Sequence, residues 1–352
     1  MDHFSRQCAA LAGLAVRAGQ AIALIALASV AGTAGAAGAA GAAGAAAKDA
    51  WRTPLRVAVS STPHASLLHL ADAIGAFAEQ GIAVELVPVS HGKAALDKLA
   101  AGEVELAAAA EVPFVVGVLQ GQPWSVLASV ASTNTEMAVV ARRDRGIDGP
   151  ADLAGKRVGV TLGTSGEYFL WAWMIRQRLP ADALQQVDMP PSRLAQALAE
   201  GSVDAVATWQ PVRQQAERSL GANAVTFTAP LSYTTTHVVV GRQSTLAADP
   251  QATGRIVRAL LKAETFVRQQ PQQALALVAQ RLKLPAAELQ PLWTGLSLRV
   301  DQRQSQLITW EDEARWALAR GYVPSQPVPN LLSHLELRPL AAEAPGRVTV
   351  VH

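Results

Sequence analysis

The sequence predicts an α/β fold of two lobes, joined by two strands, with a cleft between the lobes. From Leu55 onward, short apolar runs alternate with longer amphipathic segments, which is typical of β-α-β units and a largely parallel sheet. Two such series follow one another, and an extended apolar strand stands at each end of the second. The 305 residues after Ala47 suffice for two domains at about 100 to 200 residues each.

The first series opens with the apolar strand 55–60. Its first helix, predicted at 64–80, has apolar residues at helical spacing and Gly81 as its stop. The remaining elements alternate in the same way. They are a strand at 82–89, a helix at 93–101, a strand at 104–110, a helix at 112–120 and a strand at 125–131.

The second series lies between the strands predicted at 137–142 and 235–241, which would carry the chain out of the first lobe and back. A double crossing of this kind makes a hinge. The elements between them are strands at 157–161, 184–188, 203–208 and 224–228, with helices at 166–179, 192–200 and 211–220. Everything after Pro250 is predicted to be helical, at 251–270, 271–282 and 304–320, and the proline-rich tail is expected to be a loosely packed surface strap.

The resulting organisation has four parts. Residues 1–47 are a signal peptide and leader, residues 55–140 with 240–322 form lobe 1, residues 141–239 form lobe 2, and residues 323–352 form the tail.

The N-terminus has the order of a secretory signal. Arg6 and Arg17 precede a short apolar centre and then small residues, since residues 31–47 hold 11 Ala, 5 Gly and one Thr. An uncleaved membrane anchor is the alternative, although the Ala/Gly half is only weakly hydrophobic. We expect export to the periplasm as a monomer.

Composition excludes several classes of function. With 30 Lys and Arg against 28 Asp and Glu, the chain lacks the basic excess of a nucleic-acid-binding protein. Cys8 is the one cysteine, so no disulfide or thiolate metal site is expected after the leader. The histidines show no i, i+4 metal pair, and nucleophile-elbow, dinucleotide and Walker motifs are missing, so we expect no metal, no cofactor and no enzyme activity.

Candidate ligand-binding residues follow the predicted strands, because open parallel sheets bind ligands beyond the carboxyl ends of their strands. Most are small hydroxyl-bearing or glycine residues, with one carboxylate and one aromatic ring among them. They are Ser61, Thr62, Glu111, Thr133, Thr164, Ser165, Gly166 and Trp209.

Three of these positions have a purely structural alternative. Thr164 and Glu167 have the spacing of a capping box, which is compatible with anion binding by the first-turn amides. Glu111 before Pro113 fits a helix-dipole partner as well as a charge on the cleft floor. Trp209 is either a wall of the cleft or a core residue.

Four segments carry a family resemblance. They are IGAFAEQGIAV at 74–84, GEVELAAAAEVPFV at 102–115, DLAGKRVGVTLGTSGEYFL at 152–170 and ALAEGSVDAVATWQP at 197–211. In order and spacing they resemble the solute-binding proteins of ABC importers for nitrate, sulfonates, taurine and bicarbonate, the SsuA/THI5-like group, over nearly the whole chain after the leader.

The resemblance implies the type II periplasmic-binding-protein fold, with capture of a small solute, closure of the cleft, and delivery to an ABC permease and its ATPase. By matching position it implies ligand contacts by Thr164, Ser165 and Gly166 in lobe 2, and by Ser61, Thr62 and Glu111 in lobe 1. A thiamine-pyrimidine-synthase-like enzyme and a sensory receptor for a membrane kinase remain alternatives. The cysteine-rich motif of the synthase is missing.

Glu111 bears on the charge of the ligand. If it points inward, it repels an anion by on the order of 4 kcal/mol at about 4 Å and an effective dielectric near 20. We therefore expect a sulfonate-like or nitrogen-containing organic solute rather than nitrate or sulfate.

Overall fold

The computed structural model describes residues 51, 53–180, 182–229 and 233–351. The predicted signal peptide and leader lie outside the described residues. No helix within these ranges combines the length and the hydropathy that a bilayer span requires.

The first ten strands lie close to their predicted positions, whereas the last was not predicted. The strands are β1 Leu55–Ser60, β2 Val84–Val89, β3 Leu106–Ala110, β4 Trp124–Thr133, β5 Ala138–Arg142, β6 Arg157–Val160, β7 Gln185–Asp188, β8 Ala205–Thr208, β9 Ala224–Thr228, β10 Thr235–Arg242 and β11 Ser297–Asp301.

The helices come between the strands and fill the region after β10. They are α1 Ser66–Ala73, α2 Ala76–Glu79, α3 Gly92–Ala100, α4 Glu111–Leu119, α5 Ser165–Arg176, α6 Pro191–Glu200, α7 Val212–Leu220, α8 Gln243–Ala248, α9 Pro250–Gln269, α10 Pro271–Leu282, α11 Ala286–Thr294, α12 Gln304–Ala319 and α13 Arg338–Glu343.

Two mixed sheets form the centres of the two lobes. The first has the order β11-β4-β10-β3-β1-β2 and the second β7-β6-β8-β5-β9. The expectation of largely parallel sheets is only partly right, because β10 is antiparallel to both β3 and β4, and β5 is antiparallel to both β8 and β9. The two predicted linking strands are thus internal members of the sheets, and the chain changes sheets between β4 and β5 and between β9 and β10.

In this topology, the carboxyl ends of β3 and β4 and the amino end of β10 lie at the same edge of the first sheet. The β10 register pairs Thr235 with Thr133 and His237 with Ala110 and Ala131, so the start of β10 lies beside the ends of β3 and β4. In the second sheet, the start of β5 lies beside the end of β8. Residues that precede the antiparallel strands therefore reach the same edge as residues that follow the parallel ones.

Apolar side chains cover both faces of the first sheet. On one face, α1, α9 and α10 bury residues such as Leu67, Leu70 and Leu260. A second cluster includes Phe114 of α4 and Trp310 of α12, whose rings lie 5.0 Å apart between centroids. The helices that support the cleft are thus anchored in dense apolar packing.

Three local predictions were wrong. The helix expected at 64–80 is broken into α1 and α2 at Gly75, which has a φ of 71° that glycine adopts without steric cost. The segment after Pro250 is not all helical, because β11 pairs with β4 at the edge of the first sheet. The tail is not loosely packed, since Leu331, Leu340 and Val350 are buried.

Candidate functional site

A small cleft, partly open to solvent, lies where the edges of the two sheets meet. Both lobes contribute to it, and its lining mixes hydroxyls, imidazoles, a lysine, a carboxylate and an indole. The lining residues are Ser60, Thr62, His64, His91, Gly92, Lys93, Ala108, Ala110, Pro113, Glu136, Met137, Thr164, Ser165, Trp209, Thr235 and His237.

The second lobe contributes the loop between β6 and α5. Gly163 has a φ of 70°, and the chain then enters α5 with Thr164 in extended conformation as its N-cap. The amides of Ser165 and Gly166 lie in the first helical turn, before the intrahelical hydrogen-bond ladder begins, so they are available to an anion.

The predicted capping box does not form in this loop. The Thr164 hydroxyl donates to the carbonyl of Thr161 at 2.6 Å instead of accepting from the helix. Glu167 accepts from the amide of Gly163 at 2.8 Å rather than from the N-cap amide. The N-cap side chain therefore leaves the first-turn amides of α5 uncapped.

Trp209 follows β8 and packs over the start of α5. A Cβ atom on Gly166 would lie 3.0 Å from the Trp209 ring, so glycine permits this close approach. Trp209 is half-buried and lines the cleft, as its position after a strand predicts. Gly166 lies behind the ring and does not line the cleft itself.

The first lobe contributes a chain of polar groups after β1. The hydroxyls of Ser60 and Thr62 are 2.7 Å apart, and Thr62 Oγ1 is 3.1 Å from Nδ1 of His64. The contact with Thr62 fixes one side of the His64 ring, so its Nε2 faces Glu136. At the start of α3, His91 is the N-cap residue and Lys93 lies in the first turn, where it adds a positive charge to the rim.

Glu136 and His237 come from the segments that enter the two antiparallel strands. Glu136 precedes β5 and pairs with Nε2 of His64, while its Oε1 lies 3.9 Å from Nε2 of His237. Burial alone raises the pKa of the Glu136 carboxyl, but the adjacent His64 and His237 outweigh burial and bring the pKa below its ordinary value. Burial lowers the pKa of His237 to about 4, so this imidazole is neutral at pH 7.

Glu111 is placed away from the cleft. It begins α4, is fully buried, and accepts hydrogen bonds from the Tyr233 hydroxyl and, at 2.7 Å, from the Thr236 amide. Burial raises the pKa of Glu111 to about 8, and burial together with Glu111 also raises the pKa of Glu313. At pH 7 Glu111 is therefore mainly protonated, and the repulsion of anions that the sequence suggested loses its basis.

The remaining predicted residues divide between the cleft and its surroundings. Thr62, Thr164, Ser165 and Trp209 all line the cleft. Ser61 is exposed and outside the lining, and Thr133 lines a separate cavity beside α11.

Sequence reasoning missed His64, Lys93, Glu136 and His237. Lys93 could have been found by the same rule as Thr62, because it lies in the first turn of α3, directly after the loop that follows β2. Glu136 and His237 carried no such signal, since they lie before or at the start of antiparallel strands. The histidines looked scattered in the sequence, yet the fold brings donor atoms of His64, Glu136 and His237 within 4.8 Å of one another, an arrangement able to hold a metal ion.

Comparisons with sequences of known proteins agree with this architecture. The chain is 29% identical over 154 residues to a binding protein of Brucella abortus (strain 2308), which covers 41% of this chain and 46% of that protein. It is 25% identical over 165 residues to the taurine-binding periplasmic protein of Escherichia coli (strain K12), which covers 47% and 51%. The matches thus span about half the length of these curated relatives.

Solved structures match over most of the chain. The alkanesulfonate-binding protein SsuA from Xanthomonas axonopodis pv. citri, bound to MOPS, superposes with a TM-score of 0.69 at 17% identity, covering 81% of this chain and 98% of that one. The desulfurization enzyme DszB superposes with a TM-score of 0.58 at 18% identity, covering 82% and 99%. These likenesses establish the periplasmic-binding-protein fold.

A family model for NMT1/THI5-like proteins matches residues 62–274, which hold β2 to β10, the cleft-lining loops of both lobes, all of α9 and the start of α10. The match covers more than half of the chain and confirms the resemblance seen in the sequence. The chain belongs to the NMT1/THI5-like family.

Proposed function

We propose that this protein is an extracytoplasmic solute-binding receptor of an ABC importer. The observation that carries the proposal is a cleft whose polar lining comes from both lobes, with Thr62 and Lys93 on one side and Thr164 and Ser165 on the other. Related proteins named for taurine binding and alkanesulfonate binding support it. In this proposal the protein works in the periplasm as a monomer without a cofactor and delivers its solute to a membrane permease and its ATPase.

The proposed ligand is a small sulfonate-like or nitrogen-containing organic solute. Its acidic group lies at the first turn of α5, where the helix dipole and uncapped amides favour negative charge, with Lys93 across the cleft. Glu136, rather than Glu111, is the negative charge in the cleft wall. A bare nitrate or sulfate offers this carboxylate no positive or hydrogen-donating group, whereas a larger solute bridges both regions.

The proposed mechanism is closure of the lobes around the bound solute. Only contacts that both lobes make to the solute at once favour the closed form over the open one. Ser165 and Trp209 are fixed to the second sheet and Thr62 to the first, so a solute that touches all three links the lobes. Small-angle scattering with saturating solute should give a more compact particle.

The desulfurization enzyme DszB has the same fold, so an enzyme is the competing proposal. The test therefore has to separate binding of a solute from its conversion. Calorimetry of the purified protein with taurine, alkanesulfonates, nitrate, bicarbonate and aminopyrimidines identifies a solute, and mass spectrometry then shows whether that solute is recovered unchanged. Conversion of the solute would overturn the receptor proposal and favour an enzyme.

The matched variants are Lys93→Gln and Lys98→Gln, which neutralise one charge each on the same helix. Lys98 pairs with Glu103 outside the cleft. We expect Lys93→Gln to weaken binding of an acidic solute by about tenfold, the size of one charge-assisted hydrogen bond, and Lys98→Gln to leave it unchanged. Equal effects of the two variants would contradict the proposed position of the acidic group.

A further inference from the structure

We propose that His64, His237 and Glu136 together bind a divalent transition-metal ion, such as Zn²⁺, in the wall of the cleft. Binding of the ion concerns the same cleft as the proposed function but does not depend on it. The ion would add a metal site to a chain whose sequence shows no metal motif.

The three side chains converge from distant parts of the chain. His64 lies in the 3-10 turn Pro63–Ala65 after β1, Glu136 precedes β5, and His237 belongs to β10. Their side chains are 5%, 16% and 5% exposed for His64, His237 and Glu136 respectively. All three line the cleft, so an ion bound there remains accessible from the cleft.

The cluster has polar atoms without hydrogen-bond partners. Glu136 Oε2 contacts Nε2 of His64, but Glu136 Oε1 and Nε2 of His237 are buried and have no hydrogen-bond partner among the described residues. Leaving buried polar atoms unpaired is costly, which indicates that another group completes the site. A nitrogen cation of a solute would satisfy the carboxylate alone, whereas a metal ion satisfies the carboxylate and both imidazoles.

The donor set suits borderline metals. Two imidazoles and one carboxylate, with a fourth position open to water or to a ligand, are the ligands of many accessible zinc sites. The contact between Thr62 Oγ1 and Nδ1 of His64 supplies the outer-shell hydrogen bond that orients a metal-binding histidine. A donor atom of the solute could take the open position.

Binding requires one side-chain movement. The His64 and His237 rings are stacked, with centroids 4.0 Å apart and planes 10° from parallel, so a single ion cannot lie in both ring planes. Donors around a tetrahedral zinc are separated by about 3.3 Å, compared with 3.9 Å between Glu136 Oε1 and His237 Nε2. Rotation of the His237 ring about its soft χ2 angle brings Nε2 toward the ion, and no hydrogen bond at Nε2 opposes that rotation.

The test measures metal binding without any solute. Untagged protein, purified from cells that produce the full chain and stripped with a chelator, is titrated with Co²⁺ and Zn²⁺, using visible absorption of Co²⁺ and equilibrium dialysis. We expect one ion per chain, with Co²⁺ bands of low coordination number that Zn²⁺ abolishes. His64→Gln, His237→Gln and Glu136→Gln should each weaken binding at least tenfold.

His91→Gln is the matched control, because His91 lines the same cleft but lies outside the cluster. It should bind metal as the parent does, and circular dichroism establishes that each variant is folded. If a cluster variant fails to fold, a Zn²⁺-dependent rise in the melting temperature of the parent, retained in His91→Gln, provides the measurement. Absence of stoichiometric binding, or binding that the cluster variants retain and His91→Gln loses, would overturn the proposal.

The two proposals fail separately. Solute binding by chelator-treated protein that takes up no metal would refute the metal site and leave the receptor function standing. Metal binding by a protein that binds no solute of the panel would support the metal site and contradict the receptor function.

Discussion

Replacing Glu111 by glutamine tests whether a protonated carboxyl is buried beneath the cleft. Glu111 is fully buried, and its hydroxyl partner Tyr233 also donates to Glu313 at 3.3 Å. Two carboxyls that share one hydroxyl in an apolar interior cannot both ionise cheaply. The glutamine side chain has nearly the shape of the protonated acid and carries no charge at any pH, so it should fit the site.

The magnitude follows from the pKa of Glu111, which burial raises to about 8 in the fold from its ordinary value of 4.5 in the unfolded chain. Between these values the folded state holds a proton that the unfolded state lacks, so the free energy of unfolding falls as pH rises. The free energy of unfolding falls by about 1.4 kcal/mol for each unit of pH until the carboxyl of the folded state ionises near pH 8. From pH 6.5 to pH 9 the total loss is about 2 kcal/mol. Glu111→Gln should not show this loss.

The assay is urea denaturation of both proteins at half-unit steps of pH. Burial lowers the pKa of His69, His91 and His237, and this acts in the opposite direction, since it makes stability rise with pH. These histidines contribute equally to parent and variant, so the difference between the two curves isolates residue 111. We expect Glu111→Gln to gain about 2 kcal/mol relative to the parent across this range.

The control is Glu103→Gln at an exposed position, where Lys98 lowers the pKa of the carboxyl. That carboxyl is ionised in both states throughout the range, so its replacement should leave the slope unchanged. A constant difference between the Glu111→Gln and parent curves from pH 6.5 to pH 9 would show that Glu111 is already ionised, and the reasoning would be wrong.

Two further substitutions test the packing around the site. Gly117→Ala places a methyl group into the Trp124 ring, so we expect urea denaturation to show a loss of about 1 to 3 kcal/mol, whereas Gly346→Ala, with open space around it, should be nearly neutral. Tyr322→Phe removes a hydroxyl that contacts the buried Glu167, and it should cost about 1 to 3 kcal/mol by the same measurement. An unchanged midpoint would show that water replaces the hydroxyl.

The order of strands and helices was predictable because burial imposes periodicity on the sequence. The β1 strand is buried at five of its six positions and α3 has its apolar residues on one face, so each was placed within a few residues. The β11 strand was missed because it is a sheet edge with only its last residues buried, and edge strands carry little apolar signal. Its pairing with β4 depends on tertiary contacts that no local pattern records.

The site was predictable only where the topology was parallel. Thr62 and Trp209 were found because they follow parallel strands, whose carboxyl ends point to the ligand edge. Glu136 and His237 were missed because β5 and β10 run the other way, which places their first residues at that edge. Glu111 was misplaced for a different reason, since the first residue of a helix after a strand can point inward to Tyr233 as well as outward.

The hydrogen bonds of Glu167 bear on where the hinge of the proposed closure would lie. Its carboxylate is buried and accepts from the Gly163 amide, from the Tyr322 hydroxyl and from Arg320 at 3.1 Å. Glu167 is 1% exposed and Arg320 is 37% exposed, so breaking these contacts would leave a buried carboxylate without its partners, which is costly. In the proposed closure, we therefore expect the segment that follows α12 to move with the second sheet. The proposed hinge would then lie before Arg320, within a stretch that the sequence assigned wholly to the first lobe, while the middle of α12 packs on α4.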